Sequence, residues 1–540
     1  MVCNKKRSTN LPNQFKFGEV LTNDKSVIAH KFNSFFVNIG NDLSKKCPNV
    51  NINPVSFLKT SPPGSMYLEK SSKSEIEKII KSLKIASAGC DDIHAKILKS
   101  TYHLILDPLE HVINLSLEQG IFPDEMKIAK IIPLHKSGDT MNITNYRPVS
   151  VLPVFSKIFE RLVYNRLISF IEKHDLLYKF QFGFRAKHSA NMALITLVDK
   201  ITTAIDKGDI VIGLFLDLKK AFDTVNHKIL LDKLFHYGVR GVAYNWIADY
   251  LNQRKQYVNF QNIASQKSVI KCGVPQGSIL GPLLFLLYVN DIANVSELLL
   301  PLIFADDTNL FVQGKNIRET SEIMNSEMAK ILLWLNSNRL LLNIDKTHYM
   351  IFHSVMKRIS TDNSVKIGDK VIERVSNTKF IGVNLDEKLT WEKHILMVKS
   401  KVAKGLGILC KARKVFPTSI LKTLYYSIVY PHLTYCVEVW GNASKTHLDS
   451  LFMMQKKVLR VITSAGFRAH TDPIFADLQL LKLSEIYISY AMTFVFKFMK
   501  GMLPKVFNNF FQRNCEVSSR ITRNSHKLYY PKFKTTLFKS

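Results

Sequence analysis

Two hydrophobic periodicities share this chain. Apolar residues recur every three to four positions at Ile28, Phe32, Phe35, Phe36, Ile39 and Leu43, which predicts a helix over 26–45. The same spacing predicts helices over 76–83, behind a Ser74/Glu77 capping box, and over 104–119. Over 154–172, Phe155, Ile158, Phe159, Leu162, Val163 and Leu167 share one helical face, and Arg161, Arg166 and Lys173 lie off it. Further helices are expected over 226–237, 242–251, 282–288 and 318–341, and the pattern is helical from Trp391 onward. Short continuous apolar runs predict strands at 130–134, 210–216 and 343–352, with a hairpin strand at 379–385. Residues 302–312, LIFADDTNLFV, set two such runs around adjacent aspartates, so a β-hairpin with Asp306 and Asp307 at its tip is expected. The polar, Asn/Lys-rich stretch 1–25 reads as disordered. Residues 49–65, with Pro54, Pro62, Pro63 and Gly64, read as a linker. QFGFR (181–185) reads as a loop or hairpin, and CGVPQGSILG (272–281) as an irregular loop entering a helix.

A chain of 540 residues exceeds a single hydrophobic core, so several subdomains are expected. Its 46% hydrophobic and 22% charged residues fall within the range of folded globular proteins. Lys and Arg number 74 against 44 Asp and Glu, a net +30 that favours a polyanionic partner, nucleic acid before a membrane surface. Residues 391–540 hold 24 Lys and Arg against 7 Asp and Glu, over half of that excess. There Tyr425, Tyr426, Tyr430, Tyr435 and Trp440 are interleaved with Lys411, Arg413, Lys414 and Lys422. The mixture suits a surface lying along a nucleic-acid backbone, and plain helix packing explains it equally well. The longest apolar run near the middle, 279–289, is too short for a bilayer span and contains Gly281 and Pro282. MVCNKKRSTN has no apolar core and is not a signal peptide, so an intracellular location, cytoplasmic or nuclear, is expected. Seven scattered cysteines form no C-x-x-C pair, which argues against a zinc knuckle or a disulfide framework.

The candidate chemistry begins with Asp306 and Asp307. Two adjacent like charges repel unless a cation lies near them. Taken alone the pair reads as a solvated turn. A third acid, Asp217, ends the run IVIGLFLD 89 residues earlier, and the expectation is that all three meet on one sheet and hold metal. Phosphoryl transfer to a 3′-hydroxyl uses two divalent ions about 3.5–4 Å apart, held by hard oxygen ligands on a rigid base.

FLDLKKAFDTVNH (215–227), GVPQGSILGPLLFLLYVNDI (273–292), FADDTNLF (304–311), LNIDKTHYMIF (342–352) and FIGVNLDEKLTWEKHI (380–395) stand in the order of a reverse transcriptase palm. IIPLHKSGD (131–139), NYRPVSVLPVFSKIFERLVYNRL (145–167) and QFGFR resemble its fingers, and YPHLTYCVEVWGNA (430–443) resembles its thumb. Over residues 85–480 the chain resembles the reverse transcriptases of non-LTR, LINE-type retrotransposons, the jockey-like branch in particular. The resemblance implies an α/β (α+β) right-hand polymerase fold. Its parts would be an N-terminal extension (1–85), fingers (86–205), a palm built on an antiparallel sheet (206–390) and a basic helical thumb with the C-terminal region (391–540). It implies an RNA-directed DNA polymerase with an RNA template, a DNA primer, dNTPs and two Mg²⁺ ions, Mn²⁺ being the alternative.

Carried over residue by residue, the resemblance makes Asp217, Asp306 and Asp307 the metal-binding acids, with Asp307 the more peripheral. Arg147 matches the arginine that grips the triphosphate, with Lys136 as a second cation. Phe222 stands where an aromatic ring excludes a 2′-hydroxyl; packing in the core is the alternative. Gln276 and Gly277 would frame the nascent base pair, and Lys346 would protonate the pyrophosphate or only pair with a carboxylate. FIGV matches the primer-grip hairpin, and Asp223 and Asp291 are expected to be structural. Only about 85 residues precede the fingers, so the chain reads as lacking the endonuclease of such elements, which another chain would supply. The competing reading is a catalytically silent nucleic-acid-binding remnant.

Overall fold

In the computed structural model the described residues are 11–517, apart from 60, 86, 358 and 360–363, together with 523–529. Along the chain, β1 (Phe15–Phe17) and β2 (Val20–Thr22) form a small hairpin before α1 (Lys25–Lys45), α2 (Lys73–Ser82) and α3 (Ala95–Gln119). β3 (Ile128–His135), β4 (Tyr146–Val151), α4 (Val154–Lys173), α5 (Ala190–Asp206) and β5 (Ile210–Leu216) follow. Next come α6 (His227–His236), α7 (Gly241–Leu251), β6 (Lys255–Phe260), β7 (Ile263–Ala264), β8 (Ser268–Val269) and α8 (Leu280–Val289). β9 (Leu300–Phe304), β10 (Asp307–Gly314), α9 (Ile317–Ser337) and β11 (His348–Phe352) lead to the short strands β12 (Lys366–Ile367), β13 (Lys370–Val371) and β14 (Glu373–Arg374). The hairpin β15 (Asn377–Phe380) and β16 (Val383–Asp386) precedes a helical remainder of α10 (Glu392–Ala412), α11 (Thr418–Ile428), α12 (Tyr430–Thr434), α13 (Val437–Trp440), α14 (Lys445–Ile462), α15 (Asp472–Asp477), α16 (Leu483–Met499) and α17 (Asn514–Val517).

The chain divides into two units, each assembled from three stretches. The first comprises Met1–Tyr178, Asp217–Glu297 and Lys330–Asn343. Its sheet runs β4-β3-β6-β7, with β8 also on β6; β3 and β4 are antiparallel, β3 and β6 parallel. A core of Phe15, Ile28, Phe32, Phe36, Ile131, Tyr146, Val258 and Phe260 joins β1 and α1 to that sheet. The Phe15 ring meets the rings of Phe32, Tyr146 and Phe260 at 5.1–5.7 Å. Residues 11–25, read as disordered, are therefore partly ordered: Phe15 is drawn into a distant core that local composition does not reveal, and residues 1–10 lie outside the described ones. α8 is apolar all round and buried all round, as such a helix must be. Beneath it Lys233 and Asp291, both fully buried, pair at 2.7 Å.

The second unit comprises Lys179–Leu216, Leu298–Ala329 and Ile344–Ser540. Its sheet runs β14-β11-β5-β10-β9, antiparallel except for β11 on β14. β5, IVIGLFL, is buried at every position, which explains its unbroken apolar run. The helices from α10 onward pack on each other, with Tyr425 and Trp440 buried in their core and Tyr426 and Tyr435 exposed.

Some expectations shift. Ser72, not Ser74, caps α2, its side chain accepting from the Glu75 N–H; S-K-S-E offers the same pattern two residues earlier. α3 extends back to Ala95, with Pro108 tolerated inside it. Residues 343–352 are not one strand: a 3₁₀ turn at Ile344–Lys346 precedes β11. Among the described residues no helix is long and apolar enough to cross a membrane.

Candidate active site

The expected hairpin is present. Phe304 pairs with Asp307, which leaves Ala305 and Asp306 as a two-residue turn. Asp306 and Asp307 are both exposed at its tip. Ala305 has φ +61°, a left-handed backbone that an alanine adopts at a cost. The 181–184 loop supports it: the buried Gln181 Oε1 accepts from the N–H of Ala305 at 3.2 Å and of Gly183 at 2.9 Å. A Cβ at Gly183 would stand 2.2 Å from the Ala305 nitrogen, so glycine there permits the close approach. β10 runs beside β5, and the last pair of their register is Leu216 with Thr308.

Asp217 follows Leu216 directly and is half-buried. Its Oδ2 accepts from Asn343 Nδ2 at 2.7 Å, and its carbonyl accepts from the Asn343 N–H at 2.8 Å. In the sequence Asn343 stands out only as part of LNIDKTHYMIF; its amide side chain, one residue before a turn, is the available signal. Lys346 is exposed on the 3₁₀ turn that follows.

In the first unit a second group of predicted residues converges. Gln276 Nε2 donates to Asp223 Oδ1 at 2.7 Å, and the Gln276 carbonyl accepts from the Ser150 N–H of β4 at 2.8 Å. Gly277 has φ +128°, and a Cβ there would come within 2.4 Å of the Ser150 carbonyl oxygen. Lys220 Nζ donates to the Tyr146 carbonyl at 2.9 Å, tying the 217–223 loop to the same strand. Burial pushes the Asp223 carboxyl up to about 6, against the pull of the Gln276 amide and Lys220, and its Oδ2 is buried without a hydrogen-bond partner. Glu160, buried on α4, accepts from the Ile279 N–H at 2.5 Å and the Leu280 N–H at 3.3 Å, fixing the loop where it enters α8.

Arg147 and Lys136 are exposed. Leu134 pairs with Arg147, so the strand alternation puts Arg147 and Lys136 on one face of the β3–β4 hairpin. Phe222 is half-buried, its ring stacked on Phe285 of α8 at 4.3 Å. One face of that ring therefore belongs to the core. Among the described residues no three His, Cys, Asp or Glu side chains cluster closely enough to hold a metal by themselves. Any ion at these acids would complete its shell with water and substrate oxygens.

Residues 134–385 match the reverse transcriptase (RNA-dependent DNA polymerase) family. The chain is 30% identical over 445 residues to the RNA-directed DNA polymerase from mobile element jockey of Drosophila melanogaster, covering 79% of this chain and 48% of that protein. It is 30% identical over 413 residues to the probable RNA-directed DNA polymerase from transposon X-element of the same fly, covering 75% and 45%. Against the jockey polymerase of Drosophila funebris the identity is 28% over 427 residues, covering 76% and 46%. The chain thus spans about half the length of the relatives it matches.

Proposed function

From a reverse transcriptase domain over residues 134–385, in a chain homologous to the RNA-directed DNA polymerases of non-LTR retrotransposons, we propose that this protein copies RNA into DNA. The reaction joins a dNTP to the 3′-hydroxyl of a DNA primer on an RNA template. The observation that carries the reading is the register of β5 and β10. Asp217 and Asp307 each lie one residue beyond the Leu216–Thr308 pair, and Asp306 occupies the adjoining turn.

Asp217, Asp306 and Asp307 would hold the metal together with water and substrate oxygens. Their carboxylates are the hard donors a small divalent ion requires, and the exposed tip leaves room for the waters and phosphate oxygens that complete an octahedral shell. Two such ions, Mg²⁺ or alternatively Mn²⁺, would when bound lower the pKa of the attacking hydroxyl and neutralise charge on the departing pyrophosphate. Asn343 fixes one Asp217 oxygen and so orients the other. Arg147 forks onto the triphosphate, and Lys136 adds a second cation on the same face. Gln276 and Gly277 line the nascent base pair, held by Asp223 and Ser150. Phe222, backed by Phe285, limits space at the sugar C2′. Lys346 donates a proton to the pyrophosphate.

In this reading 1–85 is an extension, 86–205 the fingers, 206–390 the palm and 391–540 a thumb whose cationic helices follow the template–primer backbone. The test is primer extension on poly(rA)/oligo(dT) with Mg²⁺. The wild type should incorporate dTTP and an Asp306→Asn variant should not; equal incorporation by the two sinks the proposal.

A further inference from the structure

The turn between β15 and β16 is built from the wrong residue. Phe380 pairs with Val383, so Ile381 and Gly382 form a two-residue loop, and both have positive φ, +43° and +82°. Such type I′ turns are the domain of Asn-Gly, because a left-handed backbone crowds any Cβ and a β-branched one most. Ile381 therefore sits in a strained conformation that something else must hold.

What holds it is Tyr435. Its phenol Oη donates to the Ile381 carbonyl at 2.8 Å. Its ring lies against the other turn residue: a Cβ on Gly382 would stand 3.2 Å from both Cε1 and Oη. Tyr435 is itself anchored. Its N–H donates to the Pro431 carbonyl at 3.2 Å, and its carbonyl accepts from Nε1 of the fully buried Trp440 at 2.9 Å. Burial pushes the phenol up to about 12, with the neighbouring Cys436 adding to the rise, so the hydroxyl remains a donor across the neutral range.

One face of β15 is also fixed to the strands that lead to the acids. The Phe380 ring lies 6.1 Å from that of Phe215, two residues before Asp217. Phe215 stacks on His348 at 5.4 Å, and His348 Nε2 bonds Thr378 Oγ1 at 2.5 Å. The β15–β16 hairpin is thus gripped between the acid-bearing end of the sheet and Tyr435.

We propose that Tyr435 is a positioning residue, a latch that holds the strained Ile381–Gly382 turn so that the hairpin fixes the primer 3′ end beside the acids. The inference rests on the polymerase reading for its consequence but not for its geometry. It is tested on the full chain with Tyr435→Phe, Ile381→Gly and the double variant. In Tyr435→Phe, hydrogen exchange of the 380–384 amides should quicken about tenfold, the effect of losing one hydrogen bond. KM for the primer–template should rise by a similar factor, with KM for dNTP within about twofold of wild type. Ile381→Gly relieves the strain and should restore both readouts in the double variant, which a loss of general stability would not. Unchanged exchange in Tyr435→Phe, or raised KM for dNTP in place of primer, overturns the latch. If the wild type extends no primer, the polymerase reading fails, and the exchange measurement alone still decides whether Tyr435 holds the turn.

Discussion

Gln276 and Asp223 stand 2.7 Å apart, the amide donating to a buried carboxylate, and that bond adds a side-chain link between the PQG loop and the loop that carries Phe222, beside the backbone bond from the Val274 N–H to the Phe222 carbonyl at 3.0 Å. Because the Gln276 carbonyl is held separately by Ser150, removing Asp223 frees the side chain and leaves the backbone in place. In Asp223→Ala, KM for dNTP should rise about tenfold and misincorporation should increase, the cost of one charge-assisted hydrogen bond. Asp223→Asn keeps an acceptor and should lose less. Single-nucleotide incorporation with matched and mismatched dNTPs reads both quantities, and identical kinetics in all three proteins would refute the role.

The same carboxyl should write its titration into stability. Its folded pKa of about 6 lies above the unfolded value of about 3.9. Between those values the native state binds the proton and the unfolded chain does not, so stability falls as pH rises through that window. The contribution is fully present below about pH 4 and lost above about pH 6, and a shift of about two units is worth about 3 kcal/mol. Urea unfolding from pH 4 to 7 should show a shallower fall for Asp223→Asn than for wild type; parallel curves would refute it.

The acid-bearing hairpin and β5 were legible in the sequence because a strand buried on both faces is written as an unbroken apolar run, and its acids stand out at the ends. α5 and β6 leave no comparable signal. KQYVNF is short and half polar, and its burial comes from β3, a neighbour more than a hundred residues away in sequence. Phe15 illustrates the same limit, since its polar neighbourhood looks disordered until Phe32 and Tyr146 surround it. The aromatic-basic mixture after Trp391 divides: Tyr425 and Trp440 are core, whereas Tyr435 does positional work that no spacing announces. Asn343 and Gln181 escaped for a related reason. Each acts through one amide bond to an acid or to an acid's turn, and single amides leave no periodic signal.

Asn343 offers a test of the Asp217 carboxylate. Asn343→Leu removes the donor 2.7 Å from Oδ2 and leaves the chain's backbone bond to the Asp217 carbonyl. Residues that orient a metal ligand are typically worth 10–100-fold in activity or metal affinity. The variant should therefore need about tenfold more Mg²⁺ for half-maximal extension, with KM for the primer–template unchanged. An unaltered Mg²⁺ titration would show that Asp217 needs no such partner.

Gly183 gives the sharpest test of the turn that carries Asp306. A Cβ at residue 183 would approach the Ala305 nitrogen to 2.2 Å and the Phe304 carbonyl carbon to 2.9 Å, and backbone atoms cannot swing aside as a side-chain end can. In Gly183→Ala the tip must therefore move, at a stability cost of about 1–3 kcal/mol for an overpacked site. A displacement near 1 Å at reacting groups costs about 100-fold in rate, so extension should fall far more than the melting temperature does. Ala305→Gly should act in the opposite sense on stability, because it relieves the +61° backbone and can gain up to about 1 kcal/mol. Its looser tip should nonetheless extend primers more slowly. Melting curves beside single-turnover extension separate the two effects. Wild-type rates in both variants would mean that the chemistry tolerates a displaced Asp306.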